Sequence, residues 1–280
     1  MSEIPRNRSL QRAGYVFLCI VPFLNLGVAS ARALRPAHLV VGSVLFLAIA
    51  AAVWAAGAGA LGSGQEGARQ LALAGALLIL PFAIISFLWV GIGAPFQATL
   101  PENHMRFIVL VADSILVTGG FVVLWGALHD AGERLFSTMG LAASACAGTA
   151  YFICLNISLA RVAMLLRGDK TPPPQIVANF YDAVEFFACL MTYLTIAVFA
   201  SSLARARLLG RGAAVAYATA SAVLILFLVM RGFEYPEISA RTAPWYTQPG
   251  VIAGIPAIPW LMPTLMGAVL LRRAGKAKAG

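Results

Sequence analysis

Residues 106–128 read RFIVLVADSILVTGGFVVLWGAL. Beyond the first residue the stretch holds one charge, Asp113, in a run that is otherwise apolar or small. A helix needs roughly 20 apolar residues to cross the hydrocarbon core of a bilayer, and this run is long enough. In lipid every backbone N–H and C=O has to be bonded within its own segment, which leaves helix as the reading of a continuous apolar run. A barrel strand would alternate in and out, and this run does not.

Working outward, the same pattern recurs along the chain and gives apolar segments at 14–30, 38–61, 71–93, 106–128, 137–160, 183–203, 213–231 and 251–271. The expected fold is all-α: a polytopic transmembrane helical bundle of about eight spans, with residues 1–280 forming one integral membrane domain. Composition agrees. Of the 280 residues 60% are hydrophobic and 11% charged, against about 25% charged in soluble domains. Too few charges exist to build a polar shell. Residues 1–12 are polar and carry Arg6, Arg8 and Arg12, which looks like the start of a signal peptide. The apolar run behind them continues past any small-residue cleavage motif, so it is read as a retained first helix.

Lys and Arg set the expected orientation. With the N-terminus inside, the inner segments carry Arg6, Arg8, Arg12, Arg69, Arg134, Arg205, Arg207, Arg211, Arg272, Arg273, Lys276 and Lys278. The outer loops carry Arg32, Arg35, Arg106, Arg161, Arg167, Lys170, Arg231 and Arg241. The bias favours both termini in the cytoplasm. A preference for Arg over Lys hints at a bacterial chain, hence the plasma membrane of a bacterium, its inner membrane. The net charge of +9 sits in short segments between apolar runs. That distribution favours membrane lipids as partners over nucleic acid, which is not expected. Other membrane subunits, or a second copy of the chain, are further candidates.

Charged groups inside a span are the best leads to chemistry, because each costs roughly 2.5–3.5 kcal/mol or more at the helix centre. Asp113 is the clearest and is read as a proton carrier, cation ligand or polar substrate contact, or else as a structural anchor. Asp182, Glu185, Cys189 and Thr192 recur at helical spacing and share one stripe. Acids in a first helical turn also suit the helix dipole. If Asp113 and Glu185 enter from the same face, they line a common vestibule. Asn156 and Asn25 are read chiefly as interhelical hydrogen-bonding residues. Pro256, Pro259 and Pro263 predict a broken segment near the outer half of the last span, of the kind that marks substrate sites in transporters, or a helix that starts near Trp260 after a proline-rich interfacial loop. Gly140, Ser144 and Gly148 form a small-residue packing face.

Cys19, Cys146, Cys154 and Cys189 lack CxxC spacing and sit in apolar runs. His38, His104 and His129 lie near predicted helix ends, no lysine falls within a span, and no HExxH or Walker motif occurs. No haem, metal, nucleotide or retinal is implied, and no cofactor is expected. Three functions remain. The leading one is a small-solute or ion transporter using an intramembrane carboxylate. The alternative is a non-catalytic subunit or assembly factor of a larger membrane complex, and behind both stands a lipid-modifying membrane enzyme.

Overall fold

The computed structural model describes residues 8–24, 35–93, 95, 98–231 and 257–277. These form eight α-helices: α1 (Arg8–Leu24), α2 (Arg35–Leu61), α3 (Glu66–Ser86), α4 (Leu100–Asp130), α5 (Leu135–Leu166), α6 (Gln175–Arg205), α7 (Arg211–Arg231) and α8 (Ala257–Ala277). A π-helix, Phe87–Ile92, continues α3. Each expected apolar segment overlaps one helix. Among the described residues six helices, α2 to α7, are long and apolar enough to cross a membrane. The apolar part of α1, Ser9–Phe23, is shorter.

Several helices outrun their apolar runs at one end. α4 begins at Leu100, not 106, and α6 at Gln175, not 183, while α5 continues to Leu166 through Arg161. Hydropathy stops at the first polar residues, but backbone hydrogen bonding does not. At the start of α4, the Thr99 N–H and hydroxyl donate to Glu102 Oε2 at 2.8 and 2.7 Å. This is the reach-back of a capping box. α5 ends before the prolines, where Gly168 turns the chain at φ 85° and the Asp169 N–H donates to the Met164 carbonyl at 3.1 Å, and Pro174 is the residue on which α6 starts.

In α8 the helix begins at Ala257. Pro259 therefore lies in the first turn, where a missing N–H removes no intrahelical bond. Pro263 is interior. Pro256, Asn25 and the aromatic-rich connection 232–250 lie outside the described residues.

Helices adjacent in sequence pack side by side from α1 to α7, and α8 packs on α3 with further contacts to α1, α2 and α6. α8 is deeply placed: Met266, Ala268, Leu270, Leu271 and Ala274 are all buried. Glycine permits this. A Cβ on Gly75 would stand 2.8 Å from the Gly267 carbonyl oxygen, and one on Gly267 would stand 2.7 Å from that of Gly75. The small-residue face of α5 is likewise used within the chain. Gly140 lies against the Phe199 ring of α6, and Gly148 against Thr118 of α4.

One end of the bundle gathers both described ends of the chain. The Arg272 guanidinium lies 5.1 Å over the Tyr15 ring, and Arg273 Nε donates to the Leu208 carbonyl at 2.7 Å. Gln70 donates to Asp130 at 3.2 Å. The exposed Arg12, Arg69, Arg134, Arg205, Arg207, Arg211 and Arg272 all belong to this basic end. The turn after α5 and the starts of α4 and α6 lie at the far end.

α4 shows how the sequence divides inside from outside. Ile108, Ile115 and Val122 are 49%, 58% and 45% exposed, while Arg106, Asp113 and Gly120 are buried. Both sets repeat every seven residues, close to two helical turns. Arg106, expected in an outer loop, is thus inside the bundle. The helix starts six residues earlier than hydropathy suggests and carries the guanidinium inward.

Candidate functional site

The buried stripe of α4 faces α3. A Cβ on Gly120 would touch Leu77 and Leu78, and Arg106 reaches the carbonyls of Leu88 and Gly93. Asp113 lies midway, about 10.5 Å along the helix from each at roughly 1.5 Å per residue. Leu110 on the same stripe packs with Ile85, Leu88 and Ile92. In these apolar surroundings Asp113 is 0% exposed, and neither carboxylate oxygen has a hydrogen-bond partner. An ionised carboxylate held that way costs several kcal/mol. A proton, a cation or a donor from a guest removes the cost.

Arg106, also 0% exposed, is anchored on one side only. Its Nη2 donates to the carbonyls of Leu88, at 3.5 Å, and Gly93. Its guanidinium carbon lies 5.2 Å from the centroid of the Trp89 ring. These acceptors belong to the π-helix and the residue that ends it, Gly93, whose φ of 93° is left-handed. The carbonyl end of a helix carries partial negative charge and suits a cation, and π-turns recur at functional sites. Arg106 Nε and Nη1 have no partner. Asn103 completes the stripe: its Nδ2 donates to the Pro95 carbonyl at 2.8 Å, and its Oδ1 has no partner. Unpaired donors and unpaired acceptors thus share one buried face.

Asp182 and Glu185 take a different place. Both are half-buried on α6, next to Cys154 of α5, whose Sγ lies 3.7 Å from the Tyr181 carbonyl. The α4 stripe that carries Asp113 packs on α3 through Arg106, Leu110 and Gly120, whereas Asp182 and Glu185 stand beside Cys154 of α5. Asn156 is half-buried, and its Nδ2 donates to the Phe152 carbonyl of its own helix at 2.8 Å, not across to a neighbour.

A small cavity of about 30 Å³ opens among α4, α5 and α6, room for about one water molecule. Ser114 and Thr118, Ser144 and Tyr151, and Thr192 and Thr195 contribute to its wall from the three helices in turn. The Ser and Thr hydroxyls donate to carbonyls three or four residues back, at 2.7–2.9 Å. The wall is therefore mostly carbon in this conformation, with hydroxyls that a side-chain rotation turns inward. Ser114 follows Asp113, so α4 presents its carboxyl and its cavity wall on adjoining faces.

Sequence reading passed over Glu133, in the turn between α4 and α5. Its side chain, 8% exposed, accepts the N–H groups of Phe136 and Ser137 at 3.1 and 2.9 Å, accepts the Ser202 hydroxyl, and meets Arg205 at 3.9 Å. Burial pushes its carboxyl up, but the Ser202 hydroxyl, the two N–H groups and Arg205 together hold it below the usual carboxylate range. The local signal was an acid three and four residues ahead of helix N–H groups; the tie to α6 left none. For Arg106 the signal was its seven-residue interval from Asp113. No family model, curated protein or solved structure matches the chain.

Proposed function

We propose that this chain is a multi-pass membrane protein that carries protons or a small cation across the bilayer, with Asp113 as the carrier carboxyl. The observation that carries the reading is the pair of unpartnered, fully buried carboxylate oxygens of Asp113. Intramembrane ionisable groups of this kind belong to ion pathways and proton relays by default. Arg106, two turns away on the same face, offers a counter-charge to Asp113 when its proton or cation has left. The basic end is assigned to the cytoplasm by the positive-inside rule. The subunit reading is weakened because the small-residue face of α5 is occupied within the chain.

The test is flux in liposomes holding the purified protein. Under an imposed pH or Na⁺ gradient, wild type should dissipate the gradient, and Asp113→Asn should fall to the level of empty vesicles with expression and melting temperature unchanged. A collapse of expression or of melting in Asp113→Asn would make the residue a structural anchor and sink the carrier reading.

A further inference from the structure

A single stripe of α6 runs the length of the bundle. Asp182, Glu185, Cys189, Thr192, Thr195, Phe199 and Ser202 follow at three- and four-residue spacing, the period of one helical face. From Cys189 onward every member is buried. The partners of this stripe come from α4, α5 and the turn between them. Nearest the far end, beyond the two acids, the Tyr151 hydroxyl lies 3.6 Å from Cys189 Sγ. Next comes the cavity with its ring of hydroxyl-bearing side chains. At the basic end the Ser202 hydroxyl donates to Glu133, beside Arg205.

Between the cavity and Glu133 the polar sequence is interrupted once. Phe199 stacks on Phe121 of α4, ring centroids 5.1 Å apart and planes within 16°. On α5, a Cβ at Gly140 would stand 2.9 Å from carbons of the Phe199 ring. One residue from each of three helices closes the seam. Phe121 also lines the cavity, so the stack forms its floor.

We infer that the seam between α4, α5 and α6 is the route of a proton or small monovalent cation, and that the Phe121–Phe199 stack against Gly140 is its gate. The inference rests on the transport reading. The far end of the route carries the acids Asp182 and Glu185, which favour cations over anions at that mouth, and at the basic end Glu133 takes the Ser202 hydroxyl beside Arg205. Hydroxyl oxygens in the middle offer lone pairs once their side chains rotate. An apolar constriction between wetted segments blocks ions by excluding water, and removing an aromatic ring joins the segments. Asp113 stands behind the α4 wall of this route, adjacent in chain to Ser114.

The experiment compares wild type, Phe121→Ala, Phe199→Ala and Phe82→Ala in liposomes, with proton flux and Na⁺ flux each read under an imposed potential. Phe82 is buried in the core on α3, so its truncation loosens packing away from the seam. Passive cation flux should rise several-fold in both gate variants and not in Phe82→Ala, and the leak should exclude Cl⁻. The arm that responds, proton or Na⁺, identifies the species. Phe199→Leu, which keeps most of the volume but no stack, serves if Phe199→Ala does not fold, with the same rise expected. Folded gate variants as tight as wild type, an equal leak in Phe82→Ala, or a leak that passes Cl⁻ would each overturn the gate. The leak should persist in Phe199→Ala combined with Asp113→Asn. A wild type that dissipates no gradient overturns the carrier reading alone, because the gate is scored on the leak.

Discussion

Arg106 gives one nitrogen to the carbonyls of Leu88 and Gly93 and leaves two others without partners. Replacing it by Leu strips those carbonyls of their donor in an interior where an unpaired acceptor costs about 1–3 kcal/mol. Arg106→Leu should therefore lower the melting temperature in detergent, and Lys should restore it only in part, because one ammonium does not reproduce the planar fork. Glu133 acts in the opposite sense, with every visible contact favouring its charge. Its folded value lies below the ordinary one of 4.5. The stability it adds is present above that pH and is lost as pH falls through the folded value. Wild type should lose melting temperature on acidification below about pH 4.5 more steeply than Glu133→Gln. At neutral pH, Glu133→Ala should cost on the order of 1 kcal/mol, the usual size of a helix cap. Asp113 is legible in sequence because a lone acid in an apolar run stands out. Arg106 is not, because hydropathy makes it the first residue of the run and only helix period links it to Asp113.

At the scale of elements, the α3–α8 crossing rests on two glycines whose backbones touch. A methyl at Gly267 would meet the Gly75 carbonyl oxygen at 2.7 Å, and backbone cannot give way as a side chain does. Gly267→Ala should destabilise by about 1–3 kcal/mol, the range for overpacking. Gly126 in α4 has nothing within 4 Å of such a methyl. Gly126→Ala should be neutral or should stabilise by up to about 1 kcal/mol through helix propensity. Melting of the two variants side by side checks both. Helix existence was readable from apolar runs, but helix length was not. The Thr99 and Glu102 contact that starts α4 lies in polar sequence outside the run, as do the first residues of α6. Residues 75–80, GALLIL, and 221–226, SAVLIL, read alike but pack differently: α3 is enclosed by α2, α4 and α8, while α7 packs chiefly on α6.

For the whole molecule, composition alone indicates the membrane class, and among the described residues six helices have the length and apolarity it requires. Orientation rests on the basic end. The tally sharpens once Arg106 is removed from the outer loops, since a buried guanidinium steers no insertion. In a Cys146→Ser background, an impermeant thiol reagent applied to intact cells should label Thr171→Cys, while Gly210→Cys should label only after permeabilisation. The reverse pattern would invert the topology. The neighbour that each buried face meets was hidden, because sequence gives depth along a helix but not the helix packed against it. That choice is made by Gly120 against Leu78 and by Cys154 against Tyr181, contacts between residues far apart in the chain.

The π-turn at Phe87–Ile92 also has a bearing on how this chain tolerates change in length. A π-turn holds an extra residue relative to an α-turn, so it behaves as an insertion that the fold has absorbed. Deleting one residue there should let the end of α3 relax to regular helix, with slack taken up after Ile92. The same deletion in mid-helix would swing every later side chain by about 100°, turning buried faces outward. Natural variants one residue shorter should therefore have lost that residue between 87 and 92, and they should have lost with it the carbonyl seat on which the guanidinium rests.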